Sequence, residues 1–227
     1  MNKLRKLYYI LMLLPLVYTI ICLFFLPDII PVHYNGANKV DRMGSKFEIL
    51  IIPFITITFG YFMLILGRSS SKKEEKVNNN NNNNNNNERV TIITGICSLV
   101  IFHIINIFML YSAFNSVENL KELPVDLFKL LFAVFGLIFV VIGNYMPKCK
   151  MNSIVGLRTV WSMKNEKTWK ESQRFGGISF IIMGIVMTVG NLLFFSDVSS
   201  LIFSMILIGI DLIFSIIISY NAAKKYA

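Results

Sequence analysis

Six runs of about 20 mostly apolar residues occupy most of this chain, and each is long enough to cross a hydrocarbon core roughly 30 Å thick. A single span in lipid must satisfy its backbone hydrogen bonds within itself, so a helix is the expected form of each run. The sequence therefore predicts an all-α, polytopic membrane protein with six transmembrane helices. The predicted spans are Leu7 to Leu26, Phe47 to Gly67, Val90 to Ser112, Leu127 to Met146, Phe175 to Phe195 and Ser200 to Tyr220.

The composition favours membrane lipid as the surroundings of the chain. It is 55% hydrophobic and only 15% charged, which gives more apolar surface than a soluble domain of 227 residues can bury. The net charge of +9 comes from cations between the spans, a distribution that favours membrane insertion over direct nucleic-acid binding. The first apolar run lacks a small-residue cleavage site and is predicted to stay as an uncleaved helix.

The loop cations predict the orientation. With the N-terminus inside, 17 Lys and Arg fall on the cytoplasmic side and 4 on the outer side, so both termini are predicted to be cytoplasmic. The segment between the fourth and fifth spans is the most basic, with seven of the chain's 22 cations. Cys22 and Cys97 lie in apolar runs and Cys149 in this loop, so no disulfide is predicted.

The spans divide the chain into units. We predict a two-span N-terminal unit over residues 1–67 with an outer loop at 27–46, a third span at 90–112, and a three-span C-terminal unit at 127–227 with a cytoplasmic loop at 147–174. Residues 68–89 are predicted to be a cytoplasmic polar linker. It contains ten consecutive asparagines, Asn78 to Asn87, and we assign that run no function.

The outer loop combines prolines, mixed charges and the turn signal Asn35-Gly36, so it is not expected to be helical throughout. His33, Asp28 and Asp41 lack the spacing of a tetrahedral metal site. A hydrogen-bonded loop against the bilayer, or a surface for an extracellular ligand, is the better interpretation.

Several residues inside the spans are polar where polarity is costly. Asp211 is the sharpest case because it lies near the middle of the sixth span, whereas Lys129 is close enough to a span end to reach water. We favour a structural pairing of Asp211 with Lys129 or Asn191 over a substrate or proton role. The other polar residues within the spans are Glu48, His103, Asn106 and Asn191.

No catalytic centre is expected. The two histidines cannot supply an obvious triad or a His-rich metal centre, and no phosphate-binding glycine loop occurs, so we predict neither an enzyme nor a cofactor. The run from Gly184 to Gly190 is only a weak helix-packing signal.

The basic loop carries two tryptophans, Trp161 and Trp169, eight residues apart. They would share one face of a helix if that helix began early enough to include both. We favour an amphipathic segment on the inner leaflet, and the alternative is a docking platform for a cytosolic protein.

The same loop resembles the signature of the SdpI family, G-N-x-x-P, N-x-x-x-G-x-R-T, a Trp, then E-x-x-W and a glycine pair. The matching residues are Gly143, Asn144, Pro147, Asn152, Gly156, Arg158, Thr159, Trp161, Glu166, Trp169, Arg174, Gly176 and Gly177. The outer loop resembles the DUF1648 module of the same family. The residues matching there are Pro31, His33, Asn35, Gly36, Asp41 and Ser45.

This resemblance implies a bacterial membrane protein that gives immunity to a secreted peptide toxin and that also sequesters a cytosolic transcriptional repressor. It makes His33, Asn35 and Asp41 the candidate peptide-facing residues. The candidate cytoplasmic motif is Asn144, Asn152, Gly156, Arg158, Thr159, Trp161 and Trp169. The chain departs from the family pattern in its asparagine run and in Val160, where a proline is common.

Two rival functions remain open from the sequence. One is a small transporter or proton-coupled carrier that uses Asp211. The other is a sensor that sequesters a transcription factor without protecting the cell.

Overall fold

The computed structural model describes residues 2–78, 86–152 and 154–226, and for residues 71–78 it describes the backbone alone. Six long helices dominate these residues, and all six are long and apolar enough to span a membrane. The prediction of an all-α protein with six spans is confirmed. The helices are α1 (Asn2–Leu23), α2 (Ile51–Asn78), α3 (Asn86–Asn115), α4 (Leu127–Tyr145), α5 (Glu166–Leu193) and α6 (Asp197–Lys225).

Most of these helices extend past the apolar runs that predicted them. α2 continues to Asn78 and α3 begins at Asn86, so both enter the predicted linker. Asn79 to Asn85, the centre of the asparagine run, lie outside the described residues. The proposed unit boundaries remain predictions.

The successive spans alternate in direction and define two faces. We call the end with residues 24–50, 116–126 and 194–196 the hairpin face. We call the end with both chain ends and residues 146–165 the terminal face. That the terminal face is cytoplasmic is still a prediction from the loop charges.

A two-stranded antiparallel hairpin forms on the hairpin face, which the sequence analysis did not anticipate. Strands β1 (Ile29–Tyr34) and β2 (Val40–Ser45) pair from Ile29 opposite Ser45 to Tyr34 opposite Val40. The loop after α3 extends the pairing, because Val40 N donates to Glu118 O at 2.8 Å and Leu120 N donates to Asn38 O at 2.8 Å. A lone hairpin is marginal in water, so this third segment stabilises it.

The hairpin rests on an apolar cluster at the ends of the first three helices. Ile30 of β1 is buried there with Leu26 and Ile49 against Leu110 and Ala113 of α3. Burial of a branched aliphatic side chain contributes roughly 1.5–3 kcal/mol. The cluster therefore fixes the hairpin against the helix ends.

A proline in α1 is compensated by a histidine of α3. Pro15 has no N–H, so Leu11 O loses the helical partner it would otherwise have. His103 Nε2 lies 2.8 Å from that oxygen, and this contact requires the proton on Nε2. Asn106 Nδ2 adds hydrogen bonds to Thr19 Oγ1 at 2.9 Å and to Tyr18 Oη at 3.0 Å. The polar residues of α3 thus bind it to α1.

Glycines set the closest helix contact, between α4 and α5. A Cβ on Gly143 would lie 2.5 Å from Gly177 O, and one on Gly136 would lie 2.6 Å from Gly184 O. The two glycines of α4 are seven residues apart, and so are the two of α5, so each pair lies along one side of its helix. Small residues let backbones approach in lipid, where apolar burial gives no driving force between helices. Thr188 Oγ1 donates to Ala133 O at 3.1 Å across the same contact.

We predict that Gly184→Ala lowers the free energy of unfolding by about 1–3 kcal/mol, because the added methyl meets the α4 backbone. Gly209→Ala is the matched control, since a Cβ on Gly209 of α6 has no heavy atom within 4 Å. Circular dichroism during denaturant unfolding in detergent measures both variants. Equal stability of the two would contradict the assignment of α4–α5 as the close contact.

We also predict that His103→Leu costs about 1–3 kcal/mol, because it leaves Leu11 O without the histidine donor. Pro15→Ala restores an N–H that can bond to Leu11 O, so the same substitution should cost less in that background. A double-mutant cycle measures the difference. Strictly additive effects would show that His103 does not compensate for Pro15.

Candidate functional site

The candidate peptide-facing residues lie in the hairpin. His33 of β1 has a side chain that is 62% exposed, and its Nδ1 lies 2.5 Å from Asp41 Oδ1 of β2. The Asn35 side chain instead stabilises the turn, because its Oδ1 accepts hydrogen bonds from Ala37 N at 2.9 Å and from Lys39 N at 3.1 Å. The hairpin therefore presents His33 and Asp41 together, while the Asn35 side chain closes the turn.

Charged pairs hold the base of the hairpin. Lys46 Nζ lies 2.9 Å from Asp28 Oδ1, and its hydrogen bond holds the pKa of the Asp28 carboxyl below the ordinary value. Arg42 Nη1 lies 2.8 Å from Glu48 Oε2, and Glu48 also accepts from Ser45 N in a capping box. Of the three residues weighed as a metal set, His33 and Asp41 pair with each other, whereas Asp28 pairs with Lys46.

The deeper side of the hairpin is bonded to α3. The Tyr34 hydroxyl donates to Val117 O at 2.8 Å and contacts Ser112 Oγ. Burial raises the pKa of the Tyr34 phenol above its ordinary value, with the Ser112 hydrogen bond opposing that rise. The phenol therefore stays protonated at neutral pH and keeps these contacts.

The hairpin turn also contacts the C-terminal helices. Asn38 is buried with a left-handed φ of 64°, and its Nδ2 lies 3.2 Å from Asp197 Oδ1 at the start of α6. Asp197 N in turn donates to Asp126 Oδ2, at the start of α4, at 2.5 Å. A ligand that moved the hairpin turn would therefore act directly on the ends of α4 and α6.

On the terminal face, Asn152 organises the start of the basic loop. Its Oδ1 accepts from Ile154 N at 2.7 Å and from Val155 N at 2.8 Å, and its Nδ2 donates to Lys150 O at 2.7 Å. The side chain is buried, so it replaces the backbone partners that a helix or strand would supply.

Gln173 of α5 forms two hydrogen bonds to the backbone in the middle of the loop. Its Oε1 accepts from Leu157 N at 2.9 Å, and its Nε2 donates to Leu157 O at 2.8 Å. Gly156 precedes this pair with a φ of 96°, and a Cβ there would lie 2.6 Å from Gln173 Oε1. Both the conformation and the close approach require glycine.

The next turn attaches the loop to α6. Thr159 Oγ1 donates to Ser219 Oγ at 2.8 Å, and Thr159 N donates to the buried Ser162 Oγ at 2.8 Å. Trp161 packs edge-on against Tyr220, with ring centroids 5.6 Å apart. The loop is therefore bound to both helices of the C-terminal pair.

Trp169 is an internal anchor of this loop. It is only 2% exposed, packs with Val90 and Cys149, and donates from Nε1 to Cys149 O at 2.8 Å. The condition under which one helix would carry both tryptophans is not met, since α5 begins at Glu166 and Trp161 lies in a turn before it. That this segment lies on the inner leaflet stays a prediction. The buried contacts at Trp169 outweigh the headgroup preference of a free tryptophan.

The remaining members of the loop motif face outward. Asn144, near the end of α4, and Arg158 are exposed, and Val160, next to the motif residue Thr159, has 83% of its surface exposed. The conformation of the loop is thus set by Asn152, Gly156, Thr159 and Trp169, while Arg158 and Val160 form its accessible surface.

Asp211 lies halfway along α6 and is 4% exposed. Its Oδ1 accepts a hydrogen bond from Ser179 Oγ of α5. The predicted partners were wrong: Lys129 is in the first turn of α4 at the hairpin face, about 20 Å from the level of Asp211 at 1.5 Å per residue. Asn191 instead bonds to Met187 O at 2.7 Å and to Ser204 Oγ at 3.1 Å.

The sequence analysis missed Gln173, Ser219, Ser179 and Asn38. Gln173 was detectable, because it follows Trp169 by four residues and precedes Gly177 by four, which places a polar side chain on the packed stripe of α5. The other three depend on contacts between helices that sequence spacing does not specify.

The fold and these two polar faces define a multi-pass membrane protein. Residues 148–219 match the SdpI/YfhL protein family, and residues 10–57 match the domain of unknown function DUF1648. The chain is similar to the SdpI family and is a multi-pass protein of the bacterial membrane. It is 24% identical over 203 residues to the immunity protein SdpI of Bacillus subtilis (strain 168), covering 88% of this chain and 86% of that protein. No solved structure matches the chain at a significant level.

We predict that Gln173→Leu releases the loop while leaving the six helices in place. Loss of both hydrogen bonds to Leu157 should raise amide exchange across residues 154–163 about tenfold or more, because a buried unpaired group costs roughly 1–3 kcal/mol. Hydrogen exchange with mass spectrometry in detergent measures the change. Lys170→Ala, an exposed position on the same helix, should leave the exchange unchanged.

Proposed function

We propose that this protein gives its host resistance to a secreted killing peptide. The observation that carries the proposal is the similarity to the immunity protein SdpI, which extends over most of both chains and includes both membrane faces. We propose a binding role without catalysis.

The hairpin is the proposed peptide-facing surface. His33 and Asp41 form an exposed, hydrogen-bonded polar pair, on a scaffold that Asn35 and the cluster under Ile30 stabilise. Such a pair on a preorganised loop can bind polar groups of a peptide at little entropic cost.

The terminal-face loop is a proposed docking surface for a cytosolic transcriptional repressor. Arg158 and the exposed Val160 combine a planar cation with an apolar contact, a combination that suits a protein interface. The hairpin turn contacts Asp197 at one end of α6, and Thr159 contacts Ser219 near the other end. Peptide binding could therefore influence repressor binding through α6.

A second candidate function is a carrier, favoured by a buried carboxylate halfway along a span. In that case Asp211→Asn should abolish proton or solute flux in vesicles with the fold intact. A chain that carries no flux and still protects cells would exclude this function.

The decisive experiment is survival of a sensitive bacterium challenged with the family's killing peptide, with and without this protein. We expect protection by the native chain, and a loss of at least about tenfold in survival with His33→Ala, because the variant lacks a side chain of the proposed peptide-facing surface. Membrane levels must be matched by immunoblot.

Lys121→Ala is the matched control. Lys121 is also exposed on the hairpin face, and its ion pair with Asp197 is long, at 4.0 Å, so its removal should disturb the structure little. Arg158→Ala should preserve survival and reduce capture of the repressor. No protection by the native chain would overturn the immunity proposal, and equal loss in His33→Ala and Lys121→Ala would overturn the hairpin assignment.

A further inference from the structure

A groove of about 400 Å³ runs between α5 and α6 on the outer surface of the helix bundle. Its walls are apolar and include Ile182 on α5 and Ile210 and Phe214 on α6, all close to half exposed or more. The volume lies within the roughly 300–1,000 Å³ of ligand pockets. From Phe175 to Val186 the α5 wall is about 16 Å long, near half the thickness of the hydrocarbon core.

Asp211 and Ser179 are the only polar residues among those described that line this groove. The Ser179 hydroxyl supplies one hydrogen bond, whereas a carboxylate has about four acceptor sites. The described lining contains no Lys, Arg or His. A carboxylate in such surroundings is costly unless a cation or donor binds it.

We propose that this groove binds an apolar helical segment of the killing peptide from within the bilayer, with one positively charged side chain of that segment against Asp211. The inference rests on the proposed immunity function and deepens it, because it names the intramembrane site and the chemistry of the bound peptide. An apolar helix matches the walls, and a cation matches the one carboxylate.

Other occupants would match either the apolar walls of the groove or its carboxylate, but not both. A lipid acyl chain fills the apolar walls but offers no donor to Asp211. A second copy that docked symmetrically through the same groove would bring two Asp211 carboxylates together, which is unfavourable in a low dielectric. A helix with one cation satisfies both the walls and the charge.

The test uses the full chain in vesicles of phosphatidylcholine and phosphatidylglycerol, so it needs no toxin. Two synthetic Leu-Ala helices of spanning length serve as probes, with Lys at the centre of one and Leu at the centre of the other. Each carries a benzophenone one turn from the centre. Cross-linked sites are identified by mass spectrometry.

We expect the Lys probe to cross-link to Ile182, Ile210 or Phe214 in preference to Ile213, which is exposed on α6 outside the groove. Asp211→Asn should lower this cross-linking about tenfold or more, since it removes the charge partner of a buried ion pair. The Leu probe should respond far less. Asn can still accept from Ser179, so the fold is expected to persist.

A second pair of variants tests the groove by its volume. Ile182→Trp fills the groove and should block the Lys probe, whereas Ile213→Trp should not. Cross-links spread over all lipid-facing helices, or no change with Asp211→Asn, would overturn the proposal. So would a groove-to-groove dimer without probe, which would assign the site to a second copy.

The survival assay separates the two proposals. Protection that persists in Asp211→Asn with no probe binding overturns the groove and leaves the immunity function. Probe binding that depends on Asp211 without protection by the native chain overturns the immunity function and leaves a site for cationic helices.

Discussion

The need to satisfy every backbone polar group away from water governs this structure. Inside regular helices the backbone meets that need alone, and elsewhere a side chain takes over. His103 bonds to the carbonyl that Pro15 leaves free, and Gln173 pairs with both backbone groups of Leu157 as a neighbouring strand would. Asn152 does the same for the start of the basic loop. These polar residues therefore stabilise the fold, whether or not they also belong to a functional site.

The N-terminal and C-terminal parts of the chain are joined on both faces of the membrane. On the hairpin face the connection is Asn38 with Asp197. On the terminal face Lys150 N donates to Asn87 Oδ1 at 3.0 Å, and Val90 packs with Trp169. With contacts at both ends, neither part can tilt freely against the other.

Sequence reasoning was most successful where one physical requirement dominates. The six spans follow from apolar length, and the Asn35-Gly36 turn follows from local backbone preferences. The hairpin was not predicted, because its third segment comes from the distant loop after α3. Asp211 and Trp169 were misassigned for the same reason, since their partners are chosen by how α5 packs against its neighbours. The candidate site residues themselves stay predictions, and their contacts could not be predicted from the sequence.

The basic loop is bound to one helix through Leu157 and Gln173, and two residues later to the other through Thr159 and Ser219. The conformation of the loop therefore depends on the distance between α5 and α6. Hydrogen bonds weaken steeply with distance and angle, so a small change in the spacing of the two helices must shift one of the two anchors. A change in the spacing of α5 and α6 would therefore alter the shape of this exposed, basic loop.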